Sequence, residues 1–294
     1  MVKFEKAYEQ ARENGILPGY ALMAGNKDGL VLDGKRRAIS EDGLDSPFHI
    51  CAIASMTKLM AAIAALQCVE AGQLDLDKSV SDMLPTIGKY GIIKSFDDEK
   101  NEAVTVPNTT PITLRLVELA ARKTLEDYMA EKIWEPLCIK DITFYPRKNH
   151  IWRVDLQTSI HSAQKAVLSH DTKILNEESW KELLRPQLTE QTKKAFNDYI
   201  NSSPIHSGYF GMCFPSDLPK TFSFAGMVVE EGQEGRMNKG TVYWGGVPSE
   251  AWYIDFEAGT CGIATCQIMP PMSPKIMQLH EQFQRGMFEK FGNP

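Results

Sequence analysis

The sequence predicts an α+β fold, an α/β sandwich in which an antiparallel sheet is flanked by N- and C-terminal helices and a helical region is inserted between its strands. Three observations predict it. The chain opens helix, strand, strand; its middle carries helical periodicity; and its last third switches to consecutive short apolar runs separated by turn residues before one final helix. With 294 residues, 43% hydrophobic and 24% charged, the chain can bury the core of one large domain. We read 1–294 as a single domain, with the sheet region at about 1–50 and 215–294 and the helical region at about 51–214.

Taken in order, Lys3 to Asn14 is amphipathic and closes at Gly15, so it reads as a helix. Tyr20 to Ala24 and Leu30 to Leu32 form a hairpin around Asp28-Gly29. Phe48 to Ala54 is an extended apolar approach to a helix whose run Leu59 to Leu66 is apolar nearly all round, which places that helix in the middle of the domain. Gly72 stops it, and Leu74, Leu76, Val80 and Leu84 continue a packed helical region up to Pro85. Phe96 to Glu102 is a charged loop. Ile112 to Leu137 is helical, with Thr124 and Asp127 as a capping pair, and two more helices cover Glu177 to Leu184 and Glu190 to Ile200. Thr221 to Glu230, Gly240 to Val247, Ala251 to Asp255 and Cys261 to Ile268 read as consecutive antiparallel strands. Ser273-Pro274 then starts a last helix to Phe291.

Composition narrows the function. A net charge of -6 with no basic face argues against a nucleic-acid partner, because phosphate binding needs clustered Lys and Arg. Met1 to Tyr8 alternates charges and lacks the apolar core of a secretion signal, and no apolar run approaches a membrane span, so a cytoplasmic protein is expected. Cys51, Cys68, Cys138, Cys213, Cys261 and Cys266 show neither zinc spacing nor a disulfide framework and read mostly as buried free thiols. The six histidines are scattered, His49 among them at a strand position, and neither a metal nor a cofactor is expected.

Chemistry enters at Ser55-Met56-Thr57-Lys58. Residues three apart on a helix face the same way, so the Lys58 amine can take the Ser55 proton while the helix N-terminus stabilises negative charge. A plainer reading has Ser55 as an N-cap and Lys58 lying along the surface. The spacing alone is weak, since it arises by chance about once in a chain of this length. Ser162-Ala163-Gln164-Lys165 repeats it in a polar stretch that reads as a solvated surface segment.

Beyond the tetrapeptide, Ala54 to Leu59, Leu66 to Asp77, Ile112 to Arg115, Tyr128-Met129 through Pro136-Leu137, Pro186-Gln187-Leu188, Trp244 to Pro248 and Trp252 to Asp255 occur in one order. In that order they resemble the class C β-lactamase-related serine hydrolases, and within them the lovastatin-type acyltransferases. The resemblance implies a β-lactamase/transpeptidase-like fold in which Ser55 is acylated, Lys58 assists proton transfer, and the strand of Trp244, Gly245, Gly246 and Val247 supplies an oxyanion and substrate edge. Glycines suit a backbone that must approach a substrate oxygen closely, although a β-bulge accounts for Gly245 and Gly246 as well.

The departures matter too. Relatives carry a long insert between segments matching Ile112 to Leu116 and Val117 to Leu119, with a second-motif tyrosine, and here the flanks are fused. A Gly-rich stretch expected between about Asp155 and Leu175 is also missing, and Tyr243 and Tyr90 are the candidate substitute bases, with packing the plainer reading of both. The expected activity is therefore a serine acyltransferase or esterase acting on a small acyl ester or thioester of secondary-metabolite type, attenuated or altered by the lost tyrosine. Its partners are a small-molecule acyl acceptor and, compatibly, a carrier-bound acyl donor. The alternatives are a catalytically silent relative that binds a small molecule or a partner protein, and different chemistry with Lys58 as a lone base.

Overall fold

A computed structural model describes residues 3–33, 52–78, 91–106, 121–140, 142–145, 156–212, 214–247, 249–269, 271 and 273–291. A seven-stranded antiparallel sheet is built from β1 (Ala21–Asn26), β2 (Gly29–Asp33), β5 (Lys220–Phe222), β6 (Met227–Val229), β7 (Val242–Gly246), β8 (Glu250–Asp255) and β9 (Thr260–Thr265), in the order β2-β1-β9-β8-β7-β6-β5. The N-terminal hairpin thus joins the C-terminal strands through β1 and β9, and the described residues between β2 and β5 form no strand of this sheet.

One face of the sheet is covered by the terminal helices α1 (Lys3–Glu13) and α8 (Pro274–Phe291). Phe4 meets Phe283 edge-on at 5.5 Å between ring centres. A Cβ built on Gly286 would lie 2.3 Å from Phe4 Cδ1, so only glycine lets these helices approach so closely. Below them His280 is fully buried, and burial lowers its pKa to about 4, so it is neutral. Its Nε2 faces the Ser249 carbonyl at 3.0 Å, which can only accept, so Nε2 carries the proton and Nδ1 accepts from the Tyr8 hydroxyl at 2.6 Å. This relay ties both terminal helices to the turn between β7 and β8.

The opposite face packs against α2 (Thr57–Glu70) and α4 (Leu156–Ser169), with α3 (Leu125–Met129) and α5 (Glu177–Leu184) behind them. Leu59, Met60, Ile63 and Leu66 of α2 are fully buried, each contributing about 1.5–3 kcal/mol of transfer free energy. The all-round apolar run thus sits between sheet and outer helices, as its pattern predicts. α6 (Glu190–Asn201) covers the β5 edge, where Asn197 Nδ2 donates to the Lys220 carbonyl, and α7 (Pro204–Tyr209) packs against α6.

Several expectations need correction. Ser162 to Lys165 is not solvated surface but part of α4; Ala163 and Gln164 are fully buried, and Gln164 Nε2 donates to the carbonyls of Tyr253 at 3.2 Å and Gly262 at 3.1 Å. A polar sequence hid a buried helix because carbonyls of the sheet backbone accept the hydrogens of its amide nitrogen. Thr221 to Glu230 is two strands, β5 and β6, folded at Ser223 to Gly226. The charged loop at Phe96 to Glu102 is the tip of a hairpin of β3 (Ile92–Asp97) and β4 (Glu102–Val106). Leu74 and Leu76 pack partly buried in irregular chain rather than a helix, and Val80 and Leu84 lie outside the described residues. Thr124 caps α3 through Asp127 N as expected, but the helix passes at once into a π turn, Ala130–Trp134.

Candidate active site

Ser55 lies in a 3-10 turn, Ala54–Met56, that leads directly into α2. Neither the turn nor α2 is capped by a side chain, the residues at the two N-cap positions being Ile53 and Met56. The N-cap reading of Ser55 therefore fails. Its hydroxyl instead accepts a hydrogen bond from Lys58 Nζ at 2.7 Å, on the shared face that the spacing predicts. Ser55 is half-buried and Lys58 exposed, so the pair sits at an opening rather than in the core. Ala54 has φ 43°, a left-handed conformation that costs an L-residue about 1–2 kcal/mol. That kink turns the chain abruptly into the helix at Ser55.

β7 passes beside this turn. It pairs with β8 along its whole length to Gly246↔Glu250, but its register with β6 ends at Tyr243. Beyond that point the edge bearing Gly245 and Gly246 has no strand partner on the β6 side among the described residues. A Cβ on Gly246 would lie 2.6 Å from the Ile53 carbonyl oxygen and 2.9 Å from Glu250 Oε2, which brings the strand into contact with the residue two before Ser55. Glycine at 246 is thus required by close approach, and the bulge reading finds no register shift between β7 and β8. We expect Gly246→Ala to cost about 1–3 kcal/mol in thermal unfolding through overpacking and to reduce any Ser55 reactivity. Unchanged stability would show that the turn can move away at no cost.

The other predicted residues divide. Trp244 packs edge-on against Phe222 at 5.0 Å, with its indole Nε1 buried and unpartnered, and Val247 is half-buried in the turn after β7. Tyr243 is not brought to Ser55: its ring lies in the cluster under the terminal helices, edge-on to Phe214 at 4.8 Å, on the sheet face opposite α2. Adjacent strand residues point to opposite faces, which explains the correction. Tyr90 and His49 lie outside the described residues. Cys68, Cys261 and Cys266 are buried free thiols, Cys138 is an exposed one, and Cys51 and Cys213 lie outside the described residues. Among the described residues no cluster of His, Cys, Asp or Glu is placed to hold a metal, and no helix is long and apolar enough to cross a membrane.

Two residues the sequence did not single out complete the surroundings. Glu250, the first residue of β8, is fully buried, and Gln267 follows β9 with φ 48°. Gln267 Oε1 accepts from Ala52 N–H at 3.0 Å, and its two Nε2 hydrogens go to Ala52 O at 3.2 Å and, in a short contact, to Glu250 Oε1, with Thr265 Oγ1 also 3.2 Å from Nε2. The legible signal was a glutamate opening the otherwise apolar strand Ala251 to Ile254.

An antiparallel sheet between terminal helices, with a Ser-x-x-Lys turn at the head of the central helix against the edge of β7, is a β-lactamase/transpeptidase-like fold. The Beta-lactamase family model matches residues 4–115 of this chain. Its relatives are more particular: it is 24% identical to the monacolin J acid methylbutanoyltransferase of Aspergillus terreus strain NIH 2624, over 99% of this chain and 96% of that protein. It is 20% identical to the lovastatin esterase of a Penicillium rubens strain, over 98% of each. The structure of the unliganded simvastatin synthase from Aspergillus terreus superposes with a TM-score of 0.87 at 23% identity, covering 99% of this chain and 98% of that one. The transferase alignment runs over 403 positions against 294 residues here, so more than a hundred positions fall opposite gaps in this shorter chain.

Proposed function

We propose that this chain is a serine acyltransferase or esterase that moves a small acyl group from an ester or thioester of secondary-metabolite type, with Ser55 as nucleophile and Lys58 as its proton acceptor. The observation that carries the reading is the 2.7 Å contact between Lys58 Nζ and Ser55 Oγ on an uncapped turn held against Gly246. When the amine is neutral the roles in that contact reverse: Ser55 Oγ–H donates to Nζ, and the oxygen attacks the acyl carbon as the proton leaves. The negative charge that develops on the carbonyl oxygen is met by N–H groups of the Ser55 turn and of the open edge at Gly245 to Val247. The intermediate collapses to the Ser55 ester as the bond to the donor's oxygen or sulfur breaks, and that alcohol or thiol leaves with the proton Lys58 holds; a small-molecule alcohol or water then attacks the ester, gives its proton to Lys58 and releases Ser55, and a carrier-bound thioester fits as donor. The named activities of the transferase and esterase relatives support this class of reaction.

The placement of Tyr243 on the far sheet face supports attenuation relative to those longer relatives, since Lys58 then works without that phenol. A fluorophosphonate probe read by intact mass tests the proposal. We expect a single adduct that maps to the Ser55 peptide and disappears in Ser55→Ala. An unmodified chain under conditions that label an active esterase would favour a silent binding protein instead.

A further inference from the structure

We propose that Glu250 and Gln267 are positioning residues that clamp the backbone at Ala52 and thereby hold the Ser55 turn in register with the open edge of β7. The inference rests on the acyl-transfer reading above. Gln267 treats Ala52 as a neighbouring strand would, accepting its N–H and donating to its carbonyl, so the side chain acts as a two-point bridge between the end of β9 and a segment 215 residues earlier. The amide orientation follows from the roles of its partners, because Ala52 N–H can only donate and Ala52 O can only accept.

Glu250 completes the bridge. Its Oε1 accepts from Thr265 Oγ1 at 2.9 Å and from the second hydrogen of Gln267 Nε2, which locks the amide that grips Ala52. Its Oε2 is buried without a partner, and both it and the Ile53 carbonyl oxygen lie within 3 Å of the point where a Gly246 Cβ would stand. One small space therefore gathers an acid oxygen, the carbonyl two residues before the nucleophile, and the strand edge. Gln267 accepts a left-handed φ of 48° to reach Ala52, and Ala54 accepts one of 43° on the other side of the bridge. Backbone strain at both ends of one contact is maintained by the surroundings and is spent on placement. A nucleophile displaced by about 1 Å loses on the order of 10²-fold in rate, so a clamp three residues from Ser55 matters.

The test uses the full-length chain, with hydrogen exchange at the peptide containing Ala52 and the rate of fluorophosphonate capture of Ser55 measured well below each variant's unfolding temperature. Gln267→Met, which keeps size and removes the bridge, should raise exchange in that peptide and slow capture about ten- to a hundredfold. Glu250→Gln, which keeps an acceptor for Gln267 and Thr265, should hold both within about threefold of wild type, whereas Glu250→Leu should behave like Gln267→Met. If Gln267→Met does not fold, the Glu250 pair carries the comparison. Capture that is unchanged in Gln267→Met and Glu250→Leu while the wild type is labelled overturns the clamp alone. Failure of the wild type to be labelled removes the acyl-transfer reading and the positioning role with it.

Discussion

Replacing Lys58 with alanine is expected to slow capture of Ser55 by an activated ester by about 10²–10⁴-fold, the range that one general base supplies. The expectation follows from the hydrogen-bond inventory of the turn. Ser55 is not used as a cap, and the contact its hydroxyl makes is the one with Lys58 Nζ. Tyr243, the other described candidate base, is on the opposite face of the sheet, so Tyr243→Phe should leave the rate within a few-fold of wild type. Lys58→Arg separates proton transfer from simple charge, because a guanidinium keeps the positive charge and cannot be deprotonated. If Lys58 accepts the proton, Lys58→Arg should fall as far as Lys58→Ala, and small primary amines should restore part of the lost rate, since the exposed position leaves them access. A Lys58→Arg variant close to wild type would make the lysine an electrostatic group, and a brisk Lys58→Ala variant would remove it from the reaction.

What the sequence made legible depended on how locally each feature is determined. The Ser55–Lys58 pair is a property of one turn of chain, and the apolar run of α2 is a property of its own periodicity, so both could be read directly. The glycines of β7 were legible as a demand for close approach, though what approaches, the Ile53 carbonyl, was not. Features fixed by distant partners stayed hidden. Gln164 looks like surface until the carbonyls of Tyr253 and Gly262 accept its hydrogens, and Tyr243 looks near the site in sequence because it adjoins Trp244, while strand alternation sends it the other way. The split of Thr221 to Glu230 into two strands depended on the turn chemistry at Ser223 to Gly226, where the Ser223 backbone N–H donates to the Gly226 carbonyl at 2.9 Å. The clamp was the least legible of all, since Gln267 meets Ala52 across 215 positions.

Glu250 should make the fold lose stability as pH rises from about 4.5 to about 8, an effect that Glu250→Gln removes. Burial pushes its pKa up from the ordinary glutamate value of 4.5 to about 8, and the hydrogen bonds from Thr265 and Gln267 offset only part of that rise. The groups that face it are Thr265 and Gln267 beside β9, Gly246 on β7 and the Ile53 carbonyl, with the Cys266 thiol nearby, itself held protonated by burial; among the described residues none of these is a cation. The folded chain therefore keeps a proton that the unfolded chain releases above about 4.5. Between the two pKa values the native state binds more protons than the unfolded state, so unfolding free energy decreases with rising pH across that window and is constant on either side. The ceiling on the change is about 5 kcal/mol, and relaxation around an ionised Glu250 brings the expected value to about 2–4 kcal/mol. Denaturant unfolding of wild type and Glu250→Gln at pH 4, 6, 7 and 8.5 reads it as a difference between two curves, which cancels every other titrating group. The difference should stay flat near pH 4, then widen in favour of the variant and level off above pH 8. Parallel curves throughout would mean that Glu250 ionises in the native state as easily as in the unfolded chain, and that its unpartnered oxygen reaches water.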